Sequence, residues 1–297
     1  MPKLTCNGIT IPVEFQAFAE AEEFAGDQLE RTASAQLEGN WVARKRRWTA
    51  RTPPQLPNIA KAMRALLEGQ GQSWNFDVTT YSGLGEGPAA GGSYTQSGAG
   101  GKYGGKVNVA SANLIQWALA NALGVPGGWT PTQGWTLGLW KVLTVGDGGD
   151  GATFHHHVAT GSVAVTRAAS ANPAGVTQYK NGVAGSWSMG NWISVQTANV
   201  GIYGYTNANA GAAYDYDDVF FLPFALPATW MPSLYTFLAA NPYPSCPRVK
   251  IYGDGIEDPS PGVDCIVRVP RSVQRRQVQA GVAYTNMREL ELDIREV

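Results

Sequence analysis

Short aromatic and β-branched segments follow one another from residue 101 to residue 226, and glycine-rich turns separate them. Segments of this length and composition are typical of strands. Asn181-Gly182 tolerates the positive φ angles of a two-residue hairpin turn, so the residues on either side are expected to pair as adjacent strands. This succession of short strands and glycine-rich turns predicts an antiparallel β-sandwich. The segments lie at residues 101–109, 135–145, 154–167, 176–185 and 214–226.

The composition agrees with turn-rich β structure. The 297 residues include 36 Gly, 10 Trp and 12 Tyr, and this length suits one large domain or two ordinary ones. Charged residues make up 15% and the net charge is -1, so no general attraction to nucleic acid or to anionic membranes is expected. The sequence has no apolar run of about 18 residues and no secretion signal at its start, so we expect synthesis in the cytoplasm without membrane insertion.

The segments outside the sandwich predict a few strands and two short helices. An opening hairpin is expected at residues 3–13, with Asn7-Gly8 as its turn. A helix is expected at residues 58–68, which Asn58 can cap and Gly69 can end. Further elements are expected as a helix at residues 234–239 and strands at residues 248–252, 264–269 and 289–297.

These outer segments also define the predicted domain organisation. Neither end of the chain carries enough strands to bury a core alone. We therefore predict a discontinuous small β assembly domain from residues 1–76 and 241–297, with the sandwich inserted as residues 77–240. The three cysteines lie outside the sandwich without C-x-x-C spacing, which favours buried thiols over a zinc site or a disulfide scaffold.

The order of motifs in the sandwich resembles the laminin-G-like, concanavalin-A-like jelly roll. In that family a G-x-x-G-x-x-V strand is followed by a Trp-bearing strand, a W/F-x-H-V-A strand, a Y-x-N-G hairpin and a closing D-D-V strand. The resemblance implies an all-β, lectin-like jelly roll. The matching motifs lie at residues 101–107, 135–140, 154–159, 179–182 and 217–219.

The outer segments resemble minor tail proteins of long-tailed bacteriophages, among which distal tail or tail-tip proteins with an inserted lectin-like domain have this layout. The resemblance implies a virion structural protein of the tail. Its outer domain would assemble with copies of itself and with other tail proteins, and its jelly roll would project outward to contact a host-surface polysaccharide. The matching motifs are N-G-x-x-I-P-V (7–13), R-T-A-S (31–34), a basic strand before a Trp (44–48), A-L-L-E-G-x-G-x-x-W (65–74) and T-N-M-R-E-L-E-L (285–292).

One candidate glycan-binding edge combines aromatic and acidic residues, Tyr214, Asp215, Tyr216 and Asp217. Aromatic rings stack on the apolar faces of sugars, and carboxylates accept hydrogen bonds from sugar hydroxyls. The alternative is structural, because residues of one strand alternate between solvent and core. In the laminin-G pattern the corresponding Asp residues fix the end of a strand.

A candidate calcium site lies in the turn that holds Asp147 and Asp150. Carboxylates on a flexible turn supply the oxygen ligands that calcium prefers, and laminin-G-like domains often bind calcium at a sandwich rim. The alternative is a plain tight turn, since Asp-Gly pairs favour turns. His155 and His157 would share one face of a strand, but the sequence offers no third metal ligand, so a packing role is favoured. No cofactor other than calcium is expected.

A basic cluster precedes a tryptophan and is a candidate assembly interface, formed by Arg44, Arg46, Arg47 and Trp48. A strand of this kind can display alternate charges to the carboxylates of a neighbouring subunit. We expect residues 20–23 of an adjacent copy, which include three glutamates, as the acidic partner. Contact with nucleic acid is the less favoured alternative.

An enzyme is not expected. Glycoside hydrolases need two carboxyl groups across a cleft, and the Asp215-Tyr216-Asp217 alternation lacks the usual glutamates. The sequence also has no G-x-S-x-G elbow and no phosphate-binding loop. The prediction is therefore a structural protein of the virion tail or tail tip. The alternatives are a stand-alone carbohydrate-binding or adhesion protein, a capsid decoration protein and a degenerate glycosidase.

Overall fold

The computed structural model describes residues 2–21, 30–31, 37–38, 45–74, 76, 94–109, 114–118, 124–142, 153–159, 176–185, 193–195, 199–203, 214–244, 246–253, 262–279 and 282–297. Over these residues the protein is mostly β, its sheets are antiparallel, and it has two short α-helices. The predicted all-β class is confirmed, while the jelly-roll strand order stays a prediction. In this part of the chain no helix is long and apolar enough to cross a membrane.

The elements follow one another in this order. The strands are β1 (Lys3–Cys6), β2 (Ile9–Ile11), β3 (Glu14–Ala21), β4 (Glu30–Arg31), β5 (Leu37–Glu38), β6 (Lys45–Arg51), β7 (Gln72–Trp74), β8 (Tyr94–Ser97), β9 (Lys106–Val109), β10 (Leu114–Ala118), β11 (Trp135–Val142), β12 (Thr153–Ala159), β13 (Val176–Lys180), β14 (Val183–Gly185), β15 (Ile193–Val195), β16 (Asn199–Tyr203), β17 (Tyr214–Leu222), β18 (Val249–Tyr252), β19 (Val263–Gln279) and β20 (Val282–Glu296). The α-helices are α1 (Pro57–Leu67) and α2 (Met231–Ala240).

The chain divides into two compact units. The first, called the outer unit here, contains Met1–Cys6, Thr10–Glu68 and Arg248–Val297. The second, called the sandwich unit, contains Asn7–Ile9 and Gly69–Pro247. The boundaries therefore fall at 68/69 and 247/248, whereas the sequence suggested 76/77 and 240/241. Residues 72–74 belong to the sandwich unit because β7 pairs with β17.

The outer unit is built on a seven-stranded sheet in the order β2-β1-β18-β19-β20-β6-β3. Helix α1 packs on β19 and β20 and buries Met63, Leu66 and Leu67. Its predicted cap is wrong: Leu56 precedes the helix and Pro57 occupies its first turn, so Asn58 lies inside it. Proline suits this position because the first turn has no acceptor for its missing N–H. Gly69 follows the helix at a φ of +70°, as expected.

Strands β19 and β20 form a hairpin much longer than the two short strands predicted there. Their register runs from Cys265 opposite Glu296 to Gln279 opposite Val282. Strand β18 pairs with β19 only at residues 263–265, and β6 pairs with β20 only at residues 291–295. Among the described residues, the turn end of the hairpin, residues 275–279 and 282–287, thus pairs with no third strand.

The sandwich unit contains two facing sheets. The larger has the order β14-β13-β12-β11-β17-β9-β8, with β7 beside β17, and the smaller has the order β10-β16-β15. One buried cluster joins them, with Trp117, Val195 and Val200 from the small sheet. The rings of Trp74 and Trp117 stack at 4.6 Å between centroids within this cluster. The large sheet contributes Val107, Val109, Trp135, Leu137, Leu139, Tyr216, Val219 and Phe221.

Two Asn-Gly turns have the backbone that the sequence predicted. Asn7 and Gly8 have φ angles of +48° and +77°, and Asn181 and Gly182 have φ angles of +52° and +78°. Consecutive positive φ angles define the hairpin turn that matches the twist of the flanking strands. The second turn joins β13 to β14 in the predicted register.

Candidate functional site

The predicted glycan-binding residues lie on β17, in the middle of the large sheet of the sandwich unit. Asp215 is only 2% exposed. Its Oδ2 accepts a hydrogen bond from Lys106 Nζ at 2.6 Å, and its Oδ1 accepts one from Asn108 Nδ2 at 2.6 Å. Both donors come from the neighbouring strand β9, so this carboxylate joins β9 to β17. A charge that is buried in this way needs such partners.

Asp217 and Asp218 are fully buried and accept backbone hydrogen bonds. The N–H of Tyr103 donates to Asp217 Oδ2 at 2.8 Å, and the N–H of Asp218 donates to Asp217 Oδ1 at 2.6 Å. The N–H of Tyr243 donates to both carboxylate oxygens of Asp218, at 2.9 and 2.8 Å. These two carboxylates therefore attach two separate loops to the same point of β17.

The expectation of an exposed sugar-binding edge is wrong for Asp215, Tyr216 and Asp217. Tyr216 belongs to the buried cluster between the two sheets, on the face opposite to Asp215 and Asp217. Tyr214 pairs with Val109 through its backbone, and its side chain lies outside the described residues. The structural alternative for these residues, which has them fixing a strand, agrees with their contacts.

The loop that Asp217 holds depends on a glycine. A Cβ at Gly101 would lie 1.8 Å from the carbonyl oxygen of Gly105 and 2.7 Å from Asp217 Oδ2. The N–H of Gly101 donates to the carbonyl oxygen of Gly104 at 2.9 Å. The G-K-Y-G-G segment is thus a tight loop folded against the Asp217 carboxylate, and any larger residue at 101 would push it away.

An aromatic cluster lies beside this loop and against helix α2. The ring of Tyr103 meets the ring of Trp140 edge-on, with 6.2 Å between the ring centroids. The centroids of the Trp140 ring and the Tyr235 ring of the helix are also 6.2 Å apart. The hydroxyl of Tyr103 donates to the carbonyl oxygen of Leu238. Burial, and then the negative charges of Asp218 and Asp217, raise the pKa of Tyr103. The exposed Lys102 places Nζ 5.6 Å from the Tyr103 ring centre and 5.5 Å from that of Trp140.

Exposed tryptophan rings are suited to stacking on a sugar. Seven of the ten tryptophans lie in the described part of the chain, and six of these seven are buried. Trp230, just before α2, is partly exposed. These six tryptophans therefore serve packing.

The predicted calcium ligands Asp147 and Asp150 lie outside the described residues. His155 and His157 hold positions on β12 opposite Leu139 and Leu137, and their side chains are also outside the described set. Within that set, no three His, Cys, Asp or Glu side chains are grouped so that they could hold a metal ion.

The basic cluster on β6 makes its contacts inside the chain. Arg46 donates to Glu296 through Nε at 2.9 Å and Nη2 at 3.1 Å. Arg47 donates to Asp293 through Nε at 2.7 Å and Nη2 at 3.2 Å. Trp48 is 4% exposed, so it belongs to the core of the outer unit. The predicted interface is therefore wrong for Trp48, while for Arg46 and Arg47 it stays a prediction. The fourth residue, Arg44, lies outside the described set.

The expected acidic partner is also part of this chain's own sheet. Glu20 of β3 lies opposite Arg46 of β6 in the same copy. The predicted contact of these glutamates with the basic cluster of an adjacent copy stays a prediction. Glu22 and Glu23 lie outside the described residues.

The charged face of the outer sheet affects the ionisation of one carboxylate. Burial alone would raise the pKa of Asp293. The hydrogen bond and positive charge of Arg47, together with the charge of Arg295, outweigh burial and lower this pKa.

The thiol pKa of Cys265 rises to about 12 because the thiol is buried and lies near Glu296 and Asp264. Cys6 is likewise buried, whereas Cys246 is exposed.

Comparison with known proteins found no matching family model, no matching curated protein and no matching solved structure.

Proposed function

We propose that this protein is a structural subunit of a long-tailed bacteriophage, located in the tail or tail tip. The outer unit serves assembly with copies of itself and with other tail proteins. The sandwich unit is a lectin-like module that contacts a polysaccharide on the host surface. The protein is not an enzyme, it reaches the virion after synthesis in the host cytoplasm, and its partners do not include nucleic acid.

The observation that carries the proposal is the order of the two units along the chain. Both ends of the chain contribute to the outer unit, and nearly all of the sandwich unit comes from the uninterrupted stretch between them. This is the layout expected of a tail protein with an inserted module. Each unit has its own buried residues, as an assembly domain and an inserted module both require.

The contacts of β17 limit which residues can belong to the proposed glycan-contact surface. A polysaccharide cannot reach Asp215, Tyr216 or Asp217, so they are excluded from the proposed contact surface. Exposed groups elsewhere on the sandwich unit must then provide the contact. Lys102 beside Tyr103 is one accessible group, because an ammonium and an aromatic edge can both meet sugar hydroxyls.

Mass spectrometry of purified phage particles tests the proposal. Particles banded on a density gradient should contain this chain in several copies per virion, alongside known tail proteins. The same chain should not band when it is added to particles of an unrelated phage. Its presence only in the soluble fraction of the lysate would contradict the virion assignment and favour a free glycan-binding protein.

The glycan contact is tested separately with the full chain. Binding to surface polysaccharide from the host should exceed binding to polysaccharide from a strain that the phage does not infect. The variants D215N and K102A distinguish the structural role of Asp215 from the proposed binding role of Lys102. We expect K102A to weaken binding without loss of fold, and D215N to act through stability alone.

A further inference from the structure

Strands β3 and β19 of the outer sheet each have an edge, or part of one, that pairs with no strand in the described part of the chain. Strand β3 is the last strand of the sheet, and only β6 pairs with it. Strand β19 pairs with β18 only at residues 263–265, so residues 266–279 have β20 on one side and no strand on the other. An unpaired edge presents a row of backbone N–H and C=O groups that can take up another strand.

The end of the long hairpin most needs such a partner. Residues 275–279 pair with residues 282–287 and with no other described strand. An isolated two-stranded hairpin is at best marginally stable in water. A third strand alongside β19 would pair with the outward-facing backbone groups of β19 at this end of the hairpin.

These two edges, of β19 and of β3, differ in charge. Between residues 266 and 279, β19 carries Arg268, Arg271, Arg275 and Arg276 and no acidic residue. Strand β3 carries Glu14 and Glu20 and no basic residue. Pro270 lacks an N–H, so it restricts pairing to the nine residues from 271 to 279. The eight residues of β3 match this length.

Charge also decides which edges can meet. Pairing β19 with the β19 of a second copy would bring arginines together, and pairing β3 with β3 would bring glutamates together. Like charges on adjacent strands are destabilising, whereas opposite charges are stabilising. Both two-fold arrangements are therefore disfavoured. The other unpaired edges of the outer sheet in the described part of the chain, β2 and residues 282–287 of β20, carry no charged residue. The pairing that brings opposite charges together therefore joins β19 of one copy to β3 of the next.

We propose that this protein assembles head to tail, with residues 271–279 of β19 adding to the free edge of β3 of a second copy of the chain. A head-to-tail contact repeats at every subunit, so it produces a closed ring if the rotation closes and a filament if it does not. The inference rests on the proposed function, which requires self-assembly, and it names the two surfaces that meet.

Charge reversal on each edge, followed by mixing, tests the pairing. The variant R271E/R275E/R276E has two acidic edges, and the variant E14K/E20K has two basic edges. Each alone should stay monomeric in light-scattering measurements at concentrations where the wild type assembles. An equimolar mixture should assemble again, because every contact between the two variants joins an acidic edge to a basic one.

A control variant, K3E/K61E/R64E, carries the same change in net charge as R271E/R275E/R276E at three exposed basic residues of the outer unit. It should assemble like the wild type, and circular dichroism should show that all variants are folded. Normal assembly of either edge variant alone would overturn the proposal. A folded mixture that stays monomeric, or a wild type that is monomeric at every concentration, would overturn it as well.

Hydrogen exchange on the unmodified protein gives a second test that does not depend on how the variants fold. Peptides covering residues 14–21 and 271–279 should become protected together as the protein concentration rises. Protection that appears elsewhere and spares both edges would contradict the pairing. Assembly of the purified protein without any virion location would leave the pairing intact and refute the tail function, so the two failures are distinguishable.

Discussion

Gly138 of β11 lies directly opposite Phe220 of β17 and leaves the space that the Phe220 ring occupies. A Cβ at position 138 would lie 2.1 Å from Cζ and 2.2 Å from Cε1 of that ring. The same ring stacks on Tyr243 with 4.1 Å between centroids. The missing side chain on β11 therefore allows an aromatic stack on the face of the large sheet that faces away from the small sheet.

The substitution G138A should destabilise the sandwich unit. Overpacking a filled site costs about 1 to 3 kcal/mol, because the ring or the strand must move. Urea unfolding followed by tryptophan fluorescence measures the loss. The control is G127A, since a Cβ at position 127 has no atom within 4 Å. Equal stability of G138A and G127A would show that the Phe220 ring is free to move aside.

Removing the Asp217 carboxylate should also destabilise this unit. In D217A, the N–H groups of Tyr103 and Asp218 lose their acceptor inside a buried site. An unsatisfied buried donor costs about 1 to 3 kcal/mol. Thermal unfolding by calorimetry measures the effect, with D264A as the exposed control, whose side chain is 66% accessible. A melting temperature equal to that of D264A would rule out the loop-fixing role of Asp217.

Local signals were sufficient for several elements of this fold. Both Asn-Gly turns were predictable, because positive φ angles are a property of those two residues and not of their surroundings. The position of α1 was predictable within one residue at each end from its apolar spacing. Its cap was not, since Pro57 extends the helix one residue before Asn58.

The role of the acidic residues on β17 depended on contacts that sequence does not reveal. The alternation of Tyr216 with Asp215 and Asp217 correctly separated the two faces of the strand. Burial of the carboxylates comes from partners more than 20 residues away, namely Tyr103, Lys106 and Tyr243. From the sequence alone, the acidic face of such a strand is expected to face solvent, because its distant partners cannot be identified.

Arg46 and Glu296 should stabilise the outer unit as a pair. Both side chains are 22% exposed, and the guanidinium donates two hydrogen bonds to the carboxylate. The single variants R46Q and E296Q and the double variant form a mutant cycle, which isolates the interaction between the two groups. We expect a coupling of about 1 kcal/mol in urea unfolding, larger than for a fully exposed pair. Strict additivity would mean that the pair contributes nothing.

Stability should fall at acidic pH partly through Asp293. The lowered pKa of this carboxylate means that the folded state favours its charged form. Its contribution is therefore present above the unfolded value of about 3.9 and is lost as the pH falls through the lower folded value. The variant D293N should flatten the stability profile below about pH 5. In D264N, which alters an exposed ion pair with Lys250, the wild-type slope should persist. A wild-type slope in D293N would contradict the assignment.

Immunogold electron microscopy of phage particles tests the central claim most directly. Antibody raised against this chain should place gold at the tail or tail tip, and adsorption of the antibody with purified protein should abolish the label. Gold on the capsid would contradict the tail assignment and indicate a decoration protein. Particles without gold, in a lysate where the soluble chain is detected, would contradict the virion function altogether.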